Sequence, residues 1–162
     1  MGLDIWATSK VTPVAGTHDT DECDHAHAYI ADPSFVRSIR GLVEDACYDT
    51  MPDAEGMSFR AGSYSGYTEF RKQLAEGAGL DLSAIWADPL GHQDEPFFEL
   101  LNFSDCEGTI GPEAVKDLYE DFLKYRTAFI SKQRGDEYAI ERYDNWTEAC
   151  RLASDGGLIS FG

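Results

Sequence analysis

Residues 96–112, with the sequence PFFELLNFSDCEGTIGP, are the stretch on which our prediction of the fold depends most. Apolar residues crowd its first half, so an extended segment here would place apolar side chains on both faces and be covered on both sides. These residues are Phe97, Phe98, Leu100, Leu101 and Phe103. A polar run from Ser104 to Glu107 follows directly, and Gly111-Pro112 is typical of a helix start. The stretch therefore predicts a buried central strand, a polar loop and the beginning of a long helix.

The segments around this stretch predict a mixture of strands and helices. Apolar and polar residues alternate over 3–8 and 57–61, which indicates two strands, and residues 158–161 predict a short closing strand. Asp32-Pro33 is typical of a helix start, and apolar residues at helical spacing over 35–47 continue that predicted helix. The same spacing predicts helices from 65 to about 78, over 112–134 and over 136–154. We therefore predict one compact α+β domain over residues 1–162, with a small mixed sheet of three to five strands covered by about four helices.

The chain is strongly acidic. Thirty acidic residues against 13 basic ones give a formal net charge of −17. Nucleic acids and anionic membranes bind proteins through Lys and Arg, so this charge disfavours both as partners. A protein partner with a basic surface is electrostatically favoured, although high solubility or an ion-rich cytoplasm would also account for the acidity. Asp4 stands where a signal peptide carries a base, and no apolar run approaches the ~20 residues of a membrane span, so we predict a cytoplasmic protein.

The sequence of the polar loop at 104–107 is compatible with three different roles. Cys106 lies near a helix N-terminus, which favours a nucleophilic thiolate, but Asp105 and Glu107 on either side disfavour one. Glu99, Asp105 and Glu107 are suitable ligands for a magnesium ion that would activate water. Alternatively, Ser104 and Asp105 satisfy backbone N–H groups of the loop and the helix start. Because no complete catalytic constellation is present, the sequence offers these residues as candidates and predicts no catalytic residue.

A second candidate site surrounds the turn GSYSGY at residues 62–67. Its glycines, the N–H groups of the helix that follows and nearby basic side chains would suit an anion. The candidate ligand-binding residues are Arg60, Ser63, Tyr64, Ser65, Tyr67, Arg71 and Lys72, together with Asn102 and Ser104 of the central stretch. The turn lacks the lysine and the spacing of a P-loop. A tight strand-to-helix turn capped by Ser65, with Tyr64 and Tyr67 packed inward, explains the same residues.

Residues 18–27, HDTDECDHAH, are dense in potential metal ligands. His25 and His27 would point the same way in an extended segment and, with His18 or Cys23, would suit zinc or another divalent ion. The alternative is an exposed acidic loop, because a metal site needs ligands that converge in space. We therefore predict no cofactor, with a divalent metal as the alternative.

Two other cysteines fall on the apolar faces of predicted helices. We expect Cys47 and Cys150 to be buried free thiols that pack as small hydrophobes. The four cysteines lie far apart, and no C-x-x-C pair exists. The sequence therefore predicts neither a zinc ribbon nor a thioredoxin-type site.

Several motifs resemble those of small phage and bacterial proteins that have no established activity. They are the MGLDI start, the SYSGY turn, the block PF-x-EL-x-NFSDCEG-x-IGP, Trp146 and the closing segment 156–161. No catalytic residue can be transferred from that group. The resemblance implies a host-interaction role, such as blocking a defence protein.

Together these observations predict a non-catalytic binding protein whose acidic surface engages a basic protein partner. Two alternatives stay open. One is a hydrolase, or a protein that binds a small anion or nucleotide, using the 104–107 loop beside the 60–72 turn. The other is a divalent-metal module at 18–27.

Overall fold

Alternating apolar residues near the N-terminus form an inner strand of the larger sheet. Strand β1 (Gly2–Thr8) buries Leu3, Ile5 and Ala7 on one face. It pairs antiparallel with β5 (Gly56–Ser63) on one side and with β7 (Leu158–Phe161) on the other, and β6 (Gly108–Ile110) pairs with β7. This sheet has the order β5-β1-β7-β6. The structure, a computed structural model, describes residues 2–14, 26–30, 35, 37–103 and 107–162.

A second, smaller antiparallel sheet has the order β2-β4-β3. Its strands are β2 (Val11–Pro13), β3 (Ala26–Ala28) and β4 (Ala46–Thr50). The prediction of a helix over 35–47 is wrong, because residues 37–42 form turns and strand β4 begins at Ala46. Gly41 and Asp45 have φ angles of 91° and 61°, in the left-handed region that interrupts a right-handed helix. The proposed start of that helix, at 32–33, lies outside the described residues.

Three of the five α-helices that the structure describes pack against strands of the larger sheet. The five are α1 (Tyr64–Gly77), α2 (Leu82–Ala87), α3 (Phe98–Leu101), α4 (Pro112–Gln133) and α5 (Glu137–Ala153), with a short 3₁₀ helix at Pro89–His92. The predictions of α1, α4 and α5 are confirmed, whereas the sequence analysis predicted neither α2 nor the 3₁₀ helix. Trp146 of α5 is fully buried and contacts the rings of Phe59, Tyr67 and Phe161. Within the described ranges, none of these helices combines the length and the apolar character that a membrane span requires.

The apolar residues at 97–103 are buried as predicted, but residues 98–101 form a helix and not the predicted strand. Residues 98–101 form the single turn of α3, and the flanking Phe97 and Phe103 are also buried. Phe97 adopts a φ of 59°, which turns the chain into the helix. A short apolar run fits a buried strand and a buried helix equally well, so periodicity could not distinguish them. The predicted α+β class is confirmed, with the described strands divided between two sheets.

Candidate functional site: an acidic cleft

The glycine-rich turn at 62–67 forms the start of helix α1. Ser63, and not the predicted Ser65, is the N-cap, and its Oγ accepts a hydrogen bond from the Gly66 amide at 3.1 Å. Ser65 and Tyr64 are exposed, whereas Tyr67 is fully buried and its hydroxyl donates to the Leu100 carbonyl oxygen. The expectation of inward packing therefore holds for Tyr67 only.

The basic side chains near this turn bind three different partners. Arg60 pairs with Asp4 at 3.7 Å, and Lys72 pairs with Glu69 at 3.4 Å. Arg71 is buried, and its Nη1 donates to the Phe103 carbonyl oxygen at 2.9 Å. Arg71 thus joins α1 to the segment that follows α3. Each of these cations therefore has a partner of its own, and anion binding at the turn stays a prediction.

Most of the other predicted site residues lie outside the described part of the chain. These are Ser104, Asp105 and Cys106 of the central loop and His18, Cys23 and His25 of the histidine-rich segment. Glu107 is exposed and accepts a hydrogen bond from the Tyr29 hydroxyl at 3.2 Å. The ring of His27 stacks on Tyr29, and its Nε2 lies 3.8 Å from Asp45 Oδ1. Among the described residues, no group of three or more His, Cys, Asp or Glu side chains is arranged to hold a metal ion.

The two cysteines predicted to be free differ. Cys150 is a buried free thiol on α5, as predicted, and burial raises its pKa. Cys47 lies on strand β4 and carries a disulfide bond, so its prediction as a free thiol on a helix is wrong. Cys47 was placed on a helix because the sequence analysis predicted a helix over 35–47 that the structure does not contain. The spacing of the cysteines along the chain gives no signal for the disulfide bond.

A cleft that the sequence did not predict lies where three segments meet. The 37–40 turn, the segment 93–99 that leads into α3, and the outer face of α4 surround a space of about 330 Å³. Two basic side chains, Arg37 and Lys124, line it together with six acidic ones. We call this the acidic cleft; its acids are Asp94, Glu95, Glu99, Asp117, Glu120 and Asp121.

An arginine bridges two of these acids. Arg40 Nη2 lies 3.0 Å from Glu99 Oε1 and 2.5 Å from Asp117 Oδ2. Because both oxygens bind one nitrogen, the two carboxylates are close neighbours. Glu99 is 8% exposed and Arg40 is half-buried, so solvent screens this contact less than an ordinary surface pair. The cleft therefore already holds one guanidinium between carboxylates.

Arg37 and Asp121 bind the segment that precedes α3. Arg37 Nη1 donates to the Gln93 carbonyl oxygen at 3.0 Å and lies 3.8 Å from Asp94 Oδ1. Asp121 Oδ2 accepts a hydrogen bond from the Phe97 amide at 2.8 Å. These bonds attach the segment before α3 to the 37–40 turn and to α4.

Burial changes the acidity of two carboxyl groups in the cleft. It raises the pKa of Glu99, against the opposing effects of a backbone hydrogen bond and of Arg40 and Arg37. It also raises the pKa of Asp121, against the hydrogen bond from the Phe97 amide. In both cases loss of hydration outweighs the favourable contacts of the charged form.

A glycine allows the 37–40 turn to reach the start of α4. The Gly111 amide donates to the Ser38 carbonyl oxygen at 2.7 Å, and the Glu113 amide donates to the Arg40 carbonyl oxygen at 3.2 Å. A Cβ at Gly111 would collide with the carbonyl oxygen of Arg40 and the backbone of Ile39. Gly111 is therefore required for close approach, which places Arg40 between its two acids.

Sequence reasoning missed this cleft because its residues are distant along the chain. The helix predicted over 35–47 removed the turn that carries Arg37 and Arg40 from consideration. One signal was present: Asp117, Glu120 and Asp121 recur at helical spacing and therefore share one face of α4. Nothing in the sequence indicated which segment that face would meet.

The fold and the cleft define an α+β protein with an acidic cleft. A scan against protein-family models, a search of curated proteins and a search of solved structures each found no match.

Proposed function

We propose that this is a non-catalytic binding protein whose acidic cleft engages a basic segment of a protein partner. The observation that carries the proposal is Arg40, whose guanidinium lies between Glu99 and Asp117. An arginine or lysine from a partner would meet the same kind of carboxylate environment along the cleft. Asp94 and Glu120 are exposed and are available for such contacts.

The net charge of −17 supports the same proposal. Six acidic side chains against two basic ones leave the cleft with an excess of negative charge. Such an excess increases the rate at which oppositely charged partners associate. With the resemblance to phage proteins, the proposed partner is a host protein whose basic surface normally holds nucleic acid. The alternative functions use the 104–107 loop beside the 60–72 turn, or the segment 18–27. Residues 104–106 and 18–25 of these segments lie outside the described part of the chain.

A labelled octa-arginine peptide tests the proposal by fluorescence anisotropy. The double variant Asp94→Asn/Glu120→Gln removes two charges from the cleft. The control Glu76→Gln/Glu141→Gln removes two charges from exposed positions of α1 and α5. We expect the cleft variant to weaken binding roughly tenfold, because each exposed ion pair contributes up to about 1 kcal/mol.

The control variant should change the affinity much less, and wild-type binding should weaken as the salt concentration rises. Equal weakening by the cleft variant and the control would mean that the peptide responds only to overall charge. That result would overturn the proposal.

A further inference from the structure

Strand β5 is an edge of the larger sheet. It pairs with β1 on one side, and in the described part of the chain no strand pairs with its other side. The exposed residues along it are Gly56, Ser58, Arg60 and Ser63. An unpaired strand edge presents a row of amide and carbonyl groups that can pair with another strand. The free edge of β5 is therefore a candidate interaction surface.

The hydrogen bonds on either side of β1 show which backbone groups of β5 are free. The Ser9 amide donates to the Glu55 carbonyl oxygen at 2.9 Å, and in an antiparallel ladder every second residue bonds to its neighbour. The odd-numbered residues 55–59 therefore direct their backbone groups to β1. Asp4, the cross-strand partner of Arg60, bonds instead to Gly162 on the other side of β1. Ser58 and Arg60 therefore direct their amides and carbonyls outward.

Strand β5 carries little of the charge that usually protects a sheet edge. Its sequence, GMSFRAGS, has one basic residue, Arg60, and no acid, in a chain with 30 acidic residues. It also lacks the proline and lysine with which natural proteins prevent edge pairing. A bulge opposite Leu3 and Asp4 interrupts the ladder only near the end of the strand. Residues 56–60 thus form a regular, nearly uncharged edge on a strongly acidic protein.

The side chains on the helix-facing side of this edge are apolar. Met57 and Phe59 are half-buried and pack against the main core, where the rings of Phe59 and Trp146 meet in a T-shaped arrangement. Ala61, on the same side of the strand, is fully buried. A strand added beside β5 would cover the parts of Met57 and Phe59 that remain exposed, and cross-strand contacts of this kind stabilise a sheet.

A second copy of β5 matches this edge in the antiparallel direction. When Ser58 of each copy lies opposite Arg60 of the other, the outward backbone groups of the two strands meet. Phe59 then lies opposite Phe59 of the second copy, on the two-fold axis. That pair is not hydrogen-bonded, and side chains in such pairs approach closely, which suits two aromatic rings. The charged residue of each strand faces a serine, so like charges do not meet.

We infer that the protein forms a symmetric dimer in which the β5 strands of two copies pair and join the two larger sheets into one. This inference goes beyond the proposed function, since no residue of β5 lines the acidic cleft. Each copy carries a net charge of −17, so salt should strengthen the dimer by screening the repulsion between copies. Salt should weaken the binding of a basic peptide at the acidic cleft, so the two events respond in opposite directions.

Analytical ultracentrifugation of the full chain tests the inference, over concentrations up to the millimolar range and at low and high salt. Ser58→Pro removes an outward N–H and leaves the bonds from β5 to β1 in place, because proline is tolerated on a strand edge. Ser58→Ala keeps that N–H and is the matched control. We expect wild type and Ser58→Ala to dimerise, more tightly in high salt. Ser58→Pro should raise the dissociation constant of the dimer about tenfold or more.

Wild-type protein that stays monomeric at millimolar concentration in high salt would overturn the inference. So would a folded Ser58→Pro variant that dimerises like wild type, or a Ser58→Ala variant that does not dimerise. If Ser58→Pro fails to fold, amide hydrogen exchange of wild type decides: the Ser58 and Arg60 amides should gain protection as the concentration rises, and unchanged exchange would refute the dimer. Octa-arginine binding by the acidic-cleft variant tests the proposed function separately, because that variant does not alter β5.

Discussion

Replacing Asp121 tests how the cleft is built, because this carboxylate holds a strained residue. Phe97 is 1% exposed and has a φ of 59°. That conformation costs a residue with a Cβ roughly 1–2 kcal/mol. The Phe97 amide N–H donates to Asp121 Oδ2 at 2.8 Å, and this bond fixes the entrance to α3.

The size of the effect follows from these contacts. Asp121→Ala leaves the Phe97 amide without its acceptor, which costs about 1–3 kcal/mol. It also removes a half-buried charge near Asp117, which recovers part of that loss, so we expect a net destabilisation of about 1–2 kcal/mol. Asp121→Asn keeps a carbonyl acceptor and removes the charge, so its expected loss is under about 1 kcal/mol.

Urea unfolding followed by circular dichroism measures both variants, with Glu120→Ala on the same helix as the control. Glu120 is exposed, so the control should stay within about 0.5 kcal/mol of wild type. The reasoning is refuted if Asp121→Ala is as stable as the control, or if Asp121→Asn loses as much as Asp121→Ala. Either result would mean that the acceptor oxygen does not hold Phe97.

Three further predictions concern other parts of the structure. Since burial raises the pKa of Glu99, its stabilising effect is present below the ordinary value of 4.5 and is lost as the pH rises through the folded-state pKa. The stability of the wild type relative to Glu99→Gln, measured by urea unfolding, should therefore fall as the pH rises across that range, whereas its stability relative to the exposed-site variant Glu141→Gln should not change. Gly111→Ala should destabilise the protein and weaken octa-arginine binding, because the 37–40 turn must move away; unchanged binding would contradict the role of close approach. Cys150 should resist iodoacetamide in the folded protein and react only in denaturant, as mass spectrometry would show; rapid labelling of native protein would contradict its burial.

Elements whose periodicity matches their burial were predicted from the sequence. Helix α4 carries its buried residues at helical spacing, and β1 alternates buried and partly exposed residues. The 35–47 segment also carries helical spacing, yet Gly41 and Asp45 adopt left-handed conformations that only the tertiary contacts require. Local pattern decides an element when tertiary packing agrees with it, and fails where packing selects another conformation.

The candidate site was beyond sequence reasoning for a related reason. Arg40 meets Glu99 and Asp117, which are 59 and 77 positions away along the chain. Their meeting depends on the close approach at Gly111 and on the turn at Phe97, and neither has a signature in a single sequence.

The most direct test of the central claim is a ¹⁵N NMR titration of the protein with octa-arginine peptide. The account predicts that amide shifts concentrate on the segment 93–99, the 37–40 turn and the outer face of α4. Shifts spread evenly over the acidic surface, or centred on a different face, would contradict a cation-binding role for the acidic cleft.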